Sequence, residues 1–222
     1  AVERVMMNTM DPVFQSLGER RLAAVVTIGD SSQAVPLARS LLAGGVSAME
    51  LTLRTDAALQ GLQRIVAEVP EMMVGAGTIL TEAQVGEVIE AGAAFGVAPG
   101  TNARILQASK EAGLPFAPGI ATPSDIETAL EFGCRVLKFF PAEGMGGLEY
   151  LEGIAAPYRH LGLRYLPLGG VNEGNLFSYT SSPDILAVGG SWLAPHSLLE
   201  SGEWAAVESL ARRAVGLLDH SA

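Results

Sequence analysis

Residues 131–140 read EFGCRVLKFF, from Glu131 through Gly133 and Lys138 to Phe140. Gly133 suits the left-handed position that ends a helix, and the apolar run after it suits a short buried strand. The same form recurs at 41–51 (LLAGGVSAMEL), 90–100 (EAGAAFGVAPG) and 111–119 (EAGLPFAPG). Gly92, Gly113 and Gly133 are spaced by 21 and 20 residues. Between these stops lie segments of helical periodicity. Thr81 with Gln84, and Thr122 with Asp125 after Pro123, are capping-box openings for two of them.

Working outward, this punctuation predicts a helix before about residue 18 and then eight strand–helix units. The strands fall near 23–28, 48–52, 73–77, 95–98, 115–118, 135–140, 164–168 and 185–189, and a last helix runs from about Gly202 to Asp219. Eight βα units with no linker-like break predict one domain over residues 1–222, an α/β (β/α)8 TIM barrel with an extra N-terminal helix and a C-terminal helix. An open doubly wound sheet satisfies the same alternation.

Composition narrows the function. With 49% hydrophobic and 17% charged residues, the chain reads as a packed globular protein. Mean hydropathy is +0.31, yet no apolar run approaches the ~18 residues of a transmembrane helix. The run 22–28 resembles the core of a signal peptide, but it stops at Gly29-Asp30 and reads as a buried strand. A single cysteine, Cys134, excludes an internal disulfide, points to a cytoplasmic location and reads as an inert core thiol. The net charge of −10 argues against nucleic acid and anionic membranes as partners. It leaves a small anionic substrate open, since backbone N–H groups and single arginines can reverse the potential locally. No function is assigned to the opening AVERVMMNTM.

In a barrel, ligands sit at the C-terminal ends of the strands. The polar residues predicted there are Glu50, Thr52, Arg54, Thr78, Pro99-Gly100, Lys138, Gly169-Gly170 and Gly189-Gly190-Ser191. Alternation puts Val136, Lys138 and Phe140 on one face of their strand, with Leu137 and Phe139 on the other. A lysine inside such a strand is costly to bury charged, so desolvation favours the neutral amine that attacks a ketone. The plain alternative is a lysine that snorkels to water or pairs with a carboxylate. Only one other lysine exists, Lys110, on the polar face of a helix near its end.

Glu50 closes a second buried strand and is placed to carry protons; the plain alternative is an ion pair with Arg54 or Lys138. Arg54 offers a planar fork for a carboxylate. The glycine pairs Gly169-Gly170 and Gly189-Gly190 follow strands seven and eight, where backbone N–H groups often hold phosphate. Metal chemistry finds little support: His160, His196 and His220 show no ligand spacing. Gly75-Ala76-Gly77 lacks the third glycine and the acid of a dinucleotide fingerprint.

The segments AGGVSAMELTLRT, VGAGT, FGVAPG, LKFFPAE with its following GG, LGGV and GGSWL resemble bacterial 2-keto-3-deoxy-6-phosphogluconate aldolase, which often also acts as 2-keto-4-hydroxyglutarate aldolase. The similarity runs from about Leu22 to Pro195. It implies a class I, metal-free and cofactor-free lyase that forms a Schiff base with a 2-keto acid and releases pyruvate, usually as a homotrimer. On that resemblance Lys138 is the Schiff-base lysine and Glu50 the general acid/base. Arg54 and Thr78 surround the pyruvyl carboxylate. Pro99 and Phe140 line the pocket beside the imine, and Gly169, Gly170, Gly190 and Ser191 form the phosphate end. Phe139 and Phe140 are expected to wall the imine off from water. One departure bears on the substrate: the family usually has threonine before the first glycine pair, and here Leu168 gives PLGG. That leaves the galactonate epimer as an alternative substrate. A metal-dependent pyruvate aldolase and a non-catalytic barrel that binds a sugar-acid phosphate are further alternatives.

Overall fold

The computed structural model describes residues 10–219. Nine short strands are all paired parallel: β1 Leu22–Val26, β2 Ala48–Thr52, β3 Met73–Gly77, β4 Gly96–Val97, β5 Phe116–Ala117, β6 Gly119–Ile120, β7 Val136–Phe139, β8 Arg164–Pro167 and β9 Val188–Gly190. The helices are α1 Pro12–Arg20, α2 Ala34–Ala43, α3 Ala58–Glu68, α4 Glu82–Glu90, α5 Ala103–Ala112, α6 Pro123–Glu131, α7 Gly147–Ala155, α8 Leu176–Thr180, α9 His196–Ser201 and α10 Trp204–Asp219. The strands form a curled parallel sheet in two ladders, one ordered β5-β4-β3-β2-β1-β9 and the other β6-β7-β8.

The predicted fifth strand, 115–118, forms only at β5, and past Pro118 the chain pairs again as β6, beyond the predicted end. Pro118 has no N–H to give a ladder, so β5 pairs backward with β4 and β6 pairs forward with β7. The predicted eighth strand is also shorter than expected. Its first residue, Ile185, makes only an isolated parallel bridge to Tyr165, and regular pairing resumes at Val188.

Helix punctuation follows the sequence closely. Gly92, Gly113 and Gly133 have φ of +86°, +70° and +85°, where a side chain would be strained. Thr81 and Thr122 cap α4 and α6, each closed by the reciprocal contact from Gln84 or Asp125. The first helix starts at Pro12 behind Asp11, whose carboxylate accepts from the Val13 N–H at 2.8 Å.

Alternation along the strands separates two apolar cores. Met49, Leu51, Leu137 and Phe139 point outward under the helices, while Ala23, Ala48, Val97, Ala117, Val136 and Leu166 point into the curl of the sheet. Phe14 and Leu17 of α1 belong to the inner core, so the amphipathic first helix packs on that face. No helix among the described residues is long and apolar enough to cross a membrane.

Candidate active site

The inner core is apolar at the strand starts and becomes polar at the strand ends. Val136 belongs to it, and two residues later on the same face comes Lys138. Glu50 lies two residues past Ala48 on β2. Both residues are buried at 4% exposure, and Lys138 Nζ donates to Glu50 Oε1 at 3.1 Å and Oε2 at 3.3 Å. The ion pair anticipated for Glu50 therefore forms with Lys138. Breaking such a buried pair by removing one partner would leave the other without compensation. The Lys138 ammonium also sits 5.2 Å from the centre of the Phe140 ring.

A glycine makes this contact possible. A Cβ on Gly77 would stand 1.9 Å from Glu50 Oε1, so the Glu50 carboxylate crosses β3 only because position 77 has no side chain. The run Gly75-Ala76-Gly77 is explained by packing, since Gly75 likewise leaves room for the Phe95 ring.

The pair faces a cavity of about 250 Å³ lined by Thr27, Thr52, Arg54, Phe140, Leu168, Gly169, Gly170, Gly190, Ser191 and His196, together with Val25, Val171 and Ala194. Eight of the ten residues to which the family resemblance gives site roles thus share one cavity. Thr78 reaches it through Arg54, whose Nε donates to Thr78 Oγ1 at 3.3 Å. Thr78 has φ +61°, an uncommon backbone for a β-branched residue, which carries roughly 1–3 kcal/mol of strain. Pro99 stands one strand further round. Its carbonyl lies against Gly119, and Gly119 pairs in register with Lys138.

One expectation is corrected. Phe139 lies in the outer core, fully buried and stacked on Tyr150, so Phe140 alone of the two faces the cavity. That is what alternation required. Thr27 and His196 also line the cavity and are not among the strand-end residues predicted above. Thr27 shares a 2.7 Å hydroxyl contact with Thr52 and was legible as the last inward position of strand one. His196 begins α9, its Nε2 3.4 Å from Glu200 Oε1; nothing in its spacing placed it at the cavity. No cluster of His, Cys, Asp and Glu able to hold a metal occurs among the described residues, and His220 lies outside them.

The family model for KDPG and KHG aldolase matches residues 13–210. The chain belongs to the KDPG and KHG aldolase family. Relatives include the KHG/KDPG aldolase of Escherichia coli K12, 42% identical over 86% of this chain and 89% of that protein. The 2-dehydro-3-deoxy-phosphogluconate aldolase of Dickeya dadantii is 41% identical over 95% of this chain and 98% of its own. Among solved structures, KDPG aldolase from Legionella pneumophila, with pyruvate captured as a covalent carbinolamine, superposes with a TM-score of 0.85 at 33% identity, covering 91% of this chain and 96% of that one.

Proposed function

We propose that the chain is a class I aldolase that cleaves 2-keto-3-deoxy-6-phosphogluconate to pyruvate and D-glyceraldehyde 3-phosphate, and also splits 4-hydroxy-2-oxoglutarate to pyruvate and glyoxylate. The observation that carries this reading is the buried, hydrogen-bonded pair of Lys138 and Glu50 facing a cavity at the strand ends. Family membership supports it.

In this reading Glu50 takes a proton from the Lys138 ammonium, and the freed amine adds to the C2 ketone. Glu50 returns the proton to the carbinolamine hydroxyl, which leaves as water and gives the iminium. Glu50, directly or through a water, then removes the C4 hydroxyl proton. The C3–C4 bond breaks, its electrons pass into the iminium to make an enamine, and the aldehyde departs. Protonation at C3 and hydrolysis of the imine release pyruvate and restore the amine. Arg54, held by Thr78, serves the substrate carboxylate, and Phe140 shields the imine. Pro99 acts from behind Gly119, and Gly169, Gly170, Gly190 and Ser191 take the phosphate.

Leu168 favours a second substrate. It lines the cavity beside the first glycine pair, and an apolar side chain cannot hydrogen-bond a substrate hydroxyl. Discrimination between the C4 epimers should then fall in the ~10–200-fold range of apolar contacts, and Leu168→Thr should widen it. Cleavage rates of the gluconate and galactonate forms measure this directly.

The same reading joins the two ladders into one closed (β/α)8 barrel in a single domain, supported by the Tyr165–Ile185 bridge and by the break at Pro118. It takes the homotrimer typical of the family as the assembled form, measurable by light scattering. A phosphorylated substrate and a free thiol suit the cytoplasm. The deciding experiment is borohydride reduction with pyruvate followed by peptide mapping. A reduced pyruvate adduct on Lys138 is expected, and its absence would overturn the assignment.

A further inference from the structure

The chain that carries Lys138 runs on through Phe140 into Pro141-Ala142-Glu143, and this stretch is tied to the first glycine loop. The Ala142 N–H donates to the Leu168 carbonyl at 2.7 Å and the Glu143 N–H to the Gly169 carbonyl at 2.9 Å. The Gly170 carbonyl is held from the other side by the side-chain amides of Asn172, at 3.0 Å, and Asn175, at 3.3 Å. Both carbonyls of the pair are thereby committed. The N–H groups of Gly169 and Gly170 take no partner among the described residues. Both glycines have positive φ, +94° and +89°, in the turn after β8, and two adjacent N–H donors left without a protein acceptor in a turn suit an anion.

Glu143 holds this loop with its side chain as well. A Cβ on Gly170 would stand 2.6 Å from Glu143 Cβ and 2.8 Å from Cγ, so the Glu143 methylenes occupy the space that Gly170 leaves. The carboxylate then accepts a hydrogen bond from the Tyr179 hydroxyl. Tyr179 is 1% exposed on α8, and burial, with Glu143 beside it, pushes its phenol well above the usual tyrosine range. The hydroxyl therefore stays a donor at any working pH. Glu143 itself is exposed, so core packing does not call for it. What it supplies is an acceptor for a buried hydroxyl, together with a stem pressed on Gly170.

We propose that Glu143, anchored by Tyr179, is a positioning residue that fixes the Gly169–Gly170 loop in its donor-presenting conformation and so sets affinity for the phosphate end of the substrate. The inference rests on the reading of that loop as the phosphate site. The clamp touches neither Lys138 nor Glu50, so it separates phosphate binding from imine chemistry.

The test compares wild type with Tyr179→Phe, Glu143→Ala and Glu143→Gln. One measurement is KM and kcat for 2-keto-3-deoxy-6-phosphogluconate; the other is the pyruvate concentration that gives half-maximal inactivation by borohydride. In Tyr179→Phe and Glu143→Ala, KM should rise about tenfold, the size of one lost hydrogen bond to a buried partner, with kcat within about threefold. Glu143→Gln, which keeps an acceptor and the stem, should recover most of the affinity. Pyruvate half-saturation should stay at the wild-type value throughout, because pyruvate carries no phosphate. Unchanged KM in both disruptive variants, or a parallel loss of pyruvate trapping, would overturn the clamp while leaving the aldolase intact. Failure of the wild type to trap pyruvate would instead remove the aldolase reading, and the clamp with it.

Discussion

Two cavities open at opposite ends of the strands, and each has a lysine and a second ionisable group in its wall. The one at the strand starts, about 320 Å³, is lined by Met10 and Phe14, by Lys110 of α5, and by Cys134 and Arg135 ahead of β7. The one at the strand ends, about 250 Å³, holds Lys138 and Glu50. In the first, Lys110 is exposed, and burial pushes the Cys134 thiol up to about 11, with Lys110 offsetting little of it. In the second, both groups are buried and bonded to each other. Burial alone silences a titratable group, because it disfavours the charged form. Burial of two opposite groups in contact gives a proton somewhere to go. The aldolase reading proposed above therefore rests on the smaller cavity, and size is no guide.

The contrast can be broken most severely at the lysine. Lys138→Met should lower aldol cleavage by about four to six orders of magnitude, since among the described residues no other amine lines the cavity to replace it. A steady-state assay coupled to pyruvate release measures this, and substantial residual activity would mean that another group carries the chemistry. Glu50→Gln keeps the shape but cannot accept the proton, and should cost about 10²–10⁴-fold in kcat. Gly77→Ala tests the same contact from behind. Its Cβ must displace the Glu50 carboxylate, and a shift of about 1 Å in a catalytic group is worth about 10²-fold. Normal activity in Gly77→Ala would show that the pair does not need its present geometry.

The smallest effect is expected at the other cavity. Cys134→Ser should leave kcat/KM within about twofold, as surface and half-buried changes away from a site usually do. The native thiol should react slowly with iodoacetamide at pH 8 and faster as pH approaches about 11. The sign for stability follows. A thiol held above its ordinary value of 9.0 favours the folded state fully below that pH, and the contribution is lost as pH rises toward about 11. Rapid labelling at pH 8 would contradict the burial argument and narrow the difference between the two cavities.

Much of this was legible in the sequence because local rules and the tertiary result agree. The glycine stops at 92, 113 and 133, the capping pairs at 81 and 122, and the inward row Val136, Lys138, Phe140 each depend on neighbours within a few residues. The strand boundaries that failed did so at Pro118 and at Ile185, where pairing with a distant strand decides what counts as a ladder.

By itself the sequence determined the order of strands and helices, the face on which each side chain would stand, and the residue types gathered at the strand ends. Periodicity and punctuation are properties of a chain a few residues at a time. Only the tertiary structure decided that Glu50 and Lys138, 88 residues apart, would meet at 3.1 Å. The same holds for Gly77, kept bare to admit Glu50, and for Glu143, which closes on Gly170 under the hold of Tyr179. Those contacts join segments distant in the chain, and their geometry is fixed by how the sheet curls, which no short stretch of sequence contains.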